Sequence, residues 1–357
     1  MLSRHSSLNL AAIVLGSVLK LGKKNEVQNF QLNTGALMPA IAMGFAATTG
    51  NREETPEEIK ARLRKCLEVG YRHIDTAAMY ETESHLGEVL HEVISSGAYK
   101  REDLFITTKL HPEDTHPNEV IPALKRSLSA LQLEYVDMFL IHQPLHLTKG
   151  AGFKYTEDSF LPLDLVGVWK AMEKCVNLGL AKAIGVSNFG TKQLRLITSD
   201  PKIRTVPAVN QIEMHPGCLL PKLLDTCRIM GTVVTAYTPL GSPGQKFGSR
   251  AILDSTIIQE IATKHNRTAA QIALRWSLEY GAGVVCKTTN STRMAQNLEI
   301  FGWSLDKEDL ERIKAIPRFR LLDVTKWCNS TTSPYRSPAE LLEDWYEPDE
   351  EDSEIKR

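Results

Sequence analysis

An aspartate and a tyrosine five residues apart are the first candidates for chemistry in this sequence. Asp75 ends the run Gly70-Tyr71-Arg72-His73-Ile74-Asp75, and Tyr80 follows it. The residues from 71 to 77 predict a strand and those from 84 to 96 predict a helix, so both side chains are expected at or just after the carboxyl end of a strand. A pair of this kind is more often an exposed aspartate and a packed tyrosine than a reactive site. It therefore needs support from polar residues at other strand ends.

Two more polar side chains lie where predicted strands end. Lys109 closes a strand at 104–109, and His142 directly follows a nearly unbroken apolar strand at 135–141. Taken singly, Lys109 could be a surface lysine and His142 a cap on its strand. In a protein that repeats a strand and a helix, however, reactive side chains collect at the rim formed by the carboxyl ends of the strands. We therefore expect Lys109 and His142 to lie close to the aspartate and the tyrosine.

These four residue types together can deliver a proton to a carbonyl compound. A phenol has a pKa of ~10, and a nearby ammonium lowers it by stabilising the phenolate, so Lys109 would tune Tyr80 as a general acid. Asp75 would keep Lys109 charged and oriented. His142 can direct a carbonyl oxygen toward the phenol.

The elements that must position these residues alternate along the chain. Predicted strands occupy residues 41–45, 71–77, 104–109, 135–141, 181–186, 208–212, 232–237 and 283–287. Predicted helices lie near residues 56–69, 84–96, 117–131, 162–178, 191–199, 221–230, 255–279 and 292–301, and the first opens with a capping box at Thr55-Pro56-Glu57-Glu58. This alternation predicts an α/β fold, a (β/α)8 TIM barrel with an N-terminal β-hairpin at residues 31–38 and an extra C-terminal helix at 306–316 followed by a tail. An open doubly wound sheet is the alternative, but no glycine fingerprint supports it.

The composition excludes several classes of partner. Forty-two Lys plus Arg balance 43 Asp plus Glu, so the chain has no overall field that would attract nucleic acid or an acidic membrane. Six cysteines are scattered without zinc-ligand spacing, which is typical of free thiols and indicates no metal site. Because the sequence lacks both a Gly-x-Gly-x-x-Gly fingerprint and a Walker loop, any nucleotide must be held in another way.

Three segments are predicted: an N-terminal extension at residues 1–26, the barrel at 27–329 and an acidic tail at 330–357. Residues 1–25 contain no acid, and their apolar run from Leu8 to Leu19 is too short to span a bilayer. We expect a cytoplasmic protein; secretory or organellar targeting by residues 1–25 is the alternative. Nine Asp or Glu between Glu340 and Glu354 predict a solvated, disordered end. The segment before it, up to Asn329, is a candidate lid.

Five motifs, in this order, resemble those of the aldo-keto reductase family over about residues 30–316. They are Gly70 to Asp75 with Tyr80, Thr107-Thr108-Lys109-Leu110, Ile141-His142-x-Pro144, Ala183-Ile184-Gly185-Val186-Ser187-Asn188-Phe189, and Asn210-Gln211-Ile212-Glu213. The resemblance implies a barrel, usually monomeric, that reduces a small aldehyde or ketone with NADPH. By position it implies that Tyr80 is the proton donor, that Asp75 and Lys109 tune it, and that His142 orients the carbonyl.

The resemblance also implies how the NADPH/NADP+ cofactor is held. Ser187, Asn188 and Gln211 would bind the nicotinamide carboxamide, and Tyr237 would stack under the ring unless it is plain barrel packing. The other implied cofactor-binding residues are Gly44, Phe45, Thr238, Leu240, Ser242, Lys287, Thr288, Asn290, Arg293, Gln296 and Asn297. Among these, Lys287 and Arg293 flank the amino end of a predicted helix, which is an anion site suited to the extra phosphate of NADPH over NADH.

The sequence departs from the family in the predicted substrate pocket. Three positions that are commonly tryptophan are Ala46, His111 and Gln143 here, beside His142, and Phe247 supplies an aromatic ring on a mobile loop. Cys286 replaces a common proline and Thr288 a common serine, changes that should not abolish binding. We expect a wider, more polar pocket that accepts bulky or hydroxylated ketones. A nucleotide-binding regulatory module with little turnover is the alternative function, and a structural, lens-type use of the fold is a third.

Overall fold

The computed structural model describes residues 19–20, 27–46, 48–49, 52–152, 156–329 and 331–346. The strands, in chain order, are β1 (Leu19–Lys20), β2 (Asn29–Gln31), β3 (Leu37–Pro39), β4 (Ile41–Gly44), β5 (Thr48–Thr49), β6 (Arg52–Glu53), β7 (His73–Asp75), β8 (Phe105–Leu110), β9 (Val136–Ile141), β10 (Ala181–Ser187), β11 (Val209–Glu213), β12 (Val233–Tyr237) and β13 (Ala282–Cys286). The helices are α1 (Pro56–Val69), α2 (Glu83–Ser95), α3 (Val120–Leu131), α4 (Leu165–Asn177), α5 (Thr191–Ser199), α6 (Pro221–Met230), α7 (Thr256–His265), α8 (Ala269–Glu279), α9 (Ser291–Leu298), α10 (Lys307–Lys314), α11 (Pro338–Leu341) and α12 (Glu343–Tyr346).

Eight parallel strands close into a barrel in the order β4, β7, β8, β9, β10, β11, β12, β13 and back to β4. Helices follow the strands around the outside, so the predicted (β/α)8 barrel is confirmed. The predicted hairpin is β2 paired with β3, and β1 adds a third antiparallel strand to it. The parallel register sets Asp75 opposite Thr107 and Ser187 opposite Gln211, which brings the carboxyl ends of these strands to one rim.

The same sequence features that predict the elements explain why they form. Parallel barrel strands that are buried on both faces are mostly apolar, and in β9 every residue except Asp137 is apolar and buried. The capping box at the start of α1 is present: Thr55 accepts from the Glu58 N–H, and Glu58 accepts from the Thr55 N–H. On α3, four apolar side chains at helical spacing are buried: Val120, Leu124, Leu128 and Leu131.

The single helix predicted at 255–279 is wrong, because the structure has α7 and α8 there. Asn266 ends α7 in the left-handed region, with φ of 50°. Thr268 then caps α8 by accepting from the Gln271 N–H at 3.2 Å. Asparagine tolerates the left-handed conformation better than most residues, so Asn266 turns the chain where the apolar pattern alone runs on.

The C-terminal segment differs most from the prediction. The expected disordered tail began at residue 330, yet residues 338–341 and 343–346 form α11 and α12. A second apolar cluster joins this segment to the loop that follows β9 and contains Leu145, Leu147, Phe160, Val324, Trp327, Tyr335, Leu341 and Leu342. The acids Glu343 and Asp344 are buried because they bind N–H groups at the start of α5. Residues 347–357 lie outside the described residues.

Of the predicted extension at 1–26, only Leu19 and Lys20 are described, as β1. None of the helices in the described ranges has the length and apolar character needed to cross a membrane.

Candidate active site

A buried ion pair occupies the centre of the rim. The ammonium of Lys109, in β8, donates to Asp75 Oδ1 at 2.6 Å and to the carbonyl oxygen of Thr76 at 2.9 Å. The side chains of Lys109 and Asp75 are 0% and 3% exposed. Burial alone would lower the pKa of Lys109, but the Asp75 carboxylate and the hydrogen bonds of Lys109 to Asp75 and Tyr80 outweigh burial and raise that pKa above its usual value. Lys109 is therefore a fixed positive charge at neutral pH.

Tyr80 lies directly above this pair. The short 3-10 helix Ala78–Tyr80 carries it off the end of β7, and the Lys109 ammonium is 5.0 Å from the centre of its ring. The predicted lowering of its pKa is wrong in net effect: burial raises the pKa of the phenol, and the Lys109 charge offsets only part of that rise. Tyr80 thus stays a phenol at neutral pH, as a proton donor requires.

His142 faces Tyr80 from the end of β9. Its Nε2 lies 3.4 Å from the Tyr80 hydroxyl, and the two rings meet edge to face. Burial, followed by the charges of Lys109 and His111, holds the pKa of His142 well below its usual value, so the imidazole is neutral. Its Nδ1 is buried without a partner among the described residues. One carbonyl oxygen could lie within hydrogen-bond distance of both the Tyr80 hydroxyl and His142 Nε2.

The residues predicted to bind the nicotinamide lie together at the ends of β10, β11 and β12. Ser187 Oγ donates to the Gln211 carbonyl oxygen at 2.8 Å, and the Tyr237 hydroxyl donates to Asn188 Oδ1 at 2.7 Å. Asn188, with φ of 63°, also donates from Nδ2 to the His142 carbonyl oxygen. These side chains therefore share one hydrogen-bond network with the loop that carries His142.

Gln211 has a contact that the sequence did not predict. Its Nε2 donates to Asp75 Oδ2 at 2.8 Å, so both carboxylate oxygens of Asp75 are occupied, one by Lys109 and one by Gln211. This bond joins residues 136 positions apart, and no local pattern indicates it.

The predicted phosphate-binding residues gather where β13 leads into α9. Asn290 caps the helix by accepting from the Arg293 N–H at 2.9 Å, and Arg293 Nε donates to Thr288 Oγ1 at 3.2 Å. Lys287 lies at the start of the same junction. Further along the helix, the Gln296 carbonyl oxygen accepts from Gln271, and Asn297 is buried. The junction thus combines a helix N-terminus with two cations, a combination that binds anions.

The predicted pyrophosphate residues lie on the loop that follows β12. Thr238 and Ser242 have φ of 52° and 50°, an uncommon conformation for residues other than glycine. Thr238 Oγ1 is buried and has no partner among the described residues. Leu240, between them, is half-buried.

The two predicted cofactor residues at the end of the first barrel strand, Gly44 and Phe45, make main-chain contacts within the protein. The Gly44 carbonyl oxygen accepts from Arg62 Nη1 at 2.6 Å, and the Phe45 ring is buried with the Arg62 guanidinium 4.1 Å from its centre. The Phe45 N–H donates to the Asp75 carbonyl oxygen at 2.8 Å, and the Phe45 carbonyl oxygen accepts from the Thr82 hydroxyl at 2.9 Å.

The predicted pocket residues follow three different strands. Ala46 comes after β4, His111 after β8 and Gln143 after β9. Burial lowers the pKa of His111, and its Nδ1 accepts from the Glu113 N–H. Gln143 Oε1 is buried and unpartnered among the described residues. Phe247 is 57% exposed on its loop.

A buried carboxylate ties the C-terminal segment to the rim. Glu213, the last residue of β11, accepts from the N–H groups of Leu321 and Leu322 at 2.6 and 2.9 Å. Its Oε1 also lies 3.2 Å from His215 Nε2. Glu213, His215 and Cys218 are close enough to hold a metal ion, but the Glu213 carboxylate already has these partners.

Comparisons with known proteins agree with this geometry. A family model described as "Aldo/keto reductase family" matches residues 40–318. Deoxymugineic acid synthase 1-A of Triticum aestivum is 43% identical over 86% of this chain and 96% of its own length. NADPH-dependent codeinone reductase 1-4 of Papaver somniferum is 40% identical over 90% of this chain and 99% of its own. A Bombyx mori aldo-keto reductase, solved in complex with NADP, superimposes with a TM-score of 0.78 at 34% identity and covers 87% of this chain and 99% of its own.

Proposed function

This chain belongs to the aldo/keto reductase family, and from that premise we propose that it reduces an aldehyde or ketone to an alcohol with NADPH. The supporting observation is the contact between the Tyr80 hydroxyl and His142 Nε2 directly above the Lys109–Asp75 ion pair. All four groups come from one chain, which suits a monomer. A regulatory module without turnover would not need a proton donor held over a buried ammonium.

The four side chains divide the work of the reaction. NADPH, when bound, supplies a hydride to the carbonyl carbon. Neutral His142 and the Tyr80 hydroxyl hold the carbonyl oxygen between them, and Tyr80 donates its proton to that oxygen as negative charge develops on it. Lys109 stabilises the phenolate that remains, and Asp75 keeps Lys109 charged and in place.

The described residues fit the proposed cofactor. Lys287 and Arg293 beside the start of α9 would hold the phosphate that distinguishes NADPH from NADH. Thr238 Oγ1, which is buried and unpartnered among the described residues, would form a hydrogen bond with the pyrophosphate. Ser187, Asn188 and Gln211 would hold the carboxamide, with Tyr237 against the ring.

Replacing Tyr80 by Phe tests the proposal. Tyr80→Phe removes the transferred proton and no nucleotide contact, so kcat should fall by ~10²–10⁴-fold while the Kd for NADPH stays within about twofold. NADPH oxidation is followed with a panel of aromatic aldehydes, diketones and ketosteroids. Tyr346→Phe, the same chemical change at a tyrosine of α12 that is 50% exposed, is the matched control. A Tyr80→Phe enzyme that keeps most of its kcat would refute the role of Tyr80, and a wild-type protein that binds NADPH without turnover on any carbonyl would favour the regulatory module.

A further inference from the structure

Glu54 places a buried carboxylate between two cations next to the proposed phosphate site. Its side chain is 1% exposed, and that of its partner Arg62 is 2% exposed. The Lys287 ammonium lies 3.7 Å from Glu54 Oε2, on a side chain that is 22% exposed. One carboxylate thus faces a buried guanidinium on one side and, on the other, a lysine that reaches solvent.

Glu54 is held rigidly. It immediately precedes Thr55, the N-cap of α1, and both of its oxygens are bound by Arg62, from Nε at 2.9 Å and from Nη2 at 2.8 Å. Arg62 also donates from Nη1 to the Gly44 carbonyl oxygen at 2.6 Å. A bidentate pair of this kind fixes the plane of the carboxylate. Glu54 therefore connects α1 and the end of β4 with the junction after β13.

This carboxylate bears directly on the charge of Lys287. Burial, and then the nearby Arg62 charge, lower the pKa of Lys287 to about 8, while Glu54 acts in the opposite direction. Among the described residues, the charged groups that act on it are Arg62 and Glu54. Arg62 binds both oxygens of Glu54, and an incoming phosphate would add further negative charge that favours the protonated form of Lys287.

We propose that Glu54 is a positioning residue for the extra phosphate of NADPH, one that holds the Lys287 ammonium at that phosphate and keeps it protonated near neutral pH. The inference rests on the proposed function, because it assumes that NADPH is the cofactor. Phosphate binding then raises the proton affinity of Lys287. Well below pH 8, the Kd for NADPH should not depend on the titration of Lys287. Above pH 8, NADPH binding should weaken about tenfold per pH unit, because the Lys287 side chain of the free protein must first take up a proton.

The wild-type protein provides the first test. Calorimetric titration with NADPH at pH 8.5, in buffers of different ionisation enthalpy, should show uptake of more than half a proton per nucleotide. NADH, which lacks the phosphate, is the matched control and should show no uptake at this pH. Equal proton uptake with the two nucleotides, or none with NADPH, would overturn the inference. The experiment does not depend on any variant folding, and it measures binding rather than turnover.

Glu54→Gln provides the second test, because it keeps the side-chain shape and removes the charge. The preference for NADPH over NADH is the ratio of their Kd values. It should fall at least twofold at pH 8, and the pH at which it declines should move down by half a unit or more. Lys287→Arg, which stays charged throughout, should keep its preference constant from pH 7 to 9.5. Adding Glu54→Gln to Lys287→Arg should then have no further effect on that pH dependence.

Three results would contradict the role of Glu54. A stronger NADPH preference in Glu54→Gln would mean that the carboxylate merely repels the phosphate. Equal weakening of NADPH and NADH would mean that it only supports the fold. An unchanged preference in Lys287→Ala would move the phosphate away from this junction, while leaving the role of Tyr80 to be judged by turnover.

Discussion

Asp75→Asn should leave the buried Lys109 ammonium without a compensating charge. The substitution keeps a side-chain oxygen for Gln211, but it removes the negative charge 2.6 Å from the Lys109 ammonium. Removing one partner of a buried pair typically costs ~3–5 kcal/mol, because the other charge is left without compensation. With the Lys109 side chain 0% exposed, we expect a loss at the upper end of that range at pH 7.

The loss should depend on pH in a defined direction. In the wild-type protein Asp75 helps to raise the pKa of Lys109 above its unfolded value, so the stabilisation is complete below ~10.4, the unfolded value, and is lost only as pH rises beyond it. Without Asp75, burial lowers the pKa of Lys109 below the unfolded value. The folded variant then sheds the proton more easily than the unfolded chain, and its deficit should shrink as pH rises from 7 to 9.5.

Urea unfolding at pH 7 and at pH 9.5 measures both effects. The matched control is Asp75→Asn combined with Lys109→Met, which removes both charges at similar volume. This double variant should recover most of the lost free energy of unfolding, and its difference from the wild type should be the same at both pH values. The reasoning would fail if Asp75→Asn were as stable as the wild type, if its deficit grew with pH, or if the double variant were less stable than the single one.

Three further predictions concern other parts of the molecule. Lys287→Ala combined with Arg293→Ala should weaken NADPH at least tenfold more than NADH, since two contacts of ~1.5–3 kcal/mol each are lost; equal losses in a fluorescence titration would place the phosphate elsewhere. Ala46→Trp combined with Gln143→Trp should lower kcat/KM for a bulky hydroxylated ketone and leave kcat/KM for benzaldehyde unchanged, because the indoles restore a flat apolar wall. An unchanged ratio of the two kcat/KM values would show that these positions do not set specificity. Asp344→Ala should lower the free energy of unfolding by ~1–2 kcal/mol, measured by urea unfolding.

The sequence predicts the barrel and the grouping of the rim residues for one reason. The carboxyl ends of parallel strands converge whenever the strands close into a barrel. The predicted strand ends near Asp75, Lys109 and His142 were therefore enough to predict that these side chains lie close together. Neither prediction required knowledge of long-range contacts.

What the sequence did not predict depends on tertiary burial and on distant partners. The pKa of Tyr80 rises rather than falls, because desolvation outweighs the Lys109 charge and desolvation has no signature along the chain. The Gln211 bond to Asp75 and the Lys287 contact with Glu54 join residues from separate strand–helix units. Glu54 next to a capping box is otherwise typical of a solvated helix start.

The C-terminal segment shows most clearly that burial and distant partners could not be predicted from the sequence. Its contacts also support the stability loss that we predict for Asp344→Ala. Its acidic composition predicted a solvated end, but Asp344 accepts from the Thr191 N–H at 2.9 Å and from the Thr191 hydroxyl at 2.8 Å at the start of α5. Removing that carboxylate leaves a buried N–H group unpaired at a helix N-terminus, which is the loss expected of a missing cap. Asp158→Ala, at an exposed aspartate in the loop after β9, should change the unfolding free energy by less than about 0.5 kcal/mol. If Asp344→Ala also changed the unfolding free energy by less than about 0.5 kcal/mol, the contact between Asp344 and Thr191 would contribute nothing to stability. The original prediction of a solvated tail would then stand.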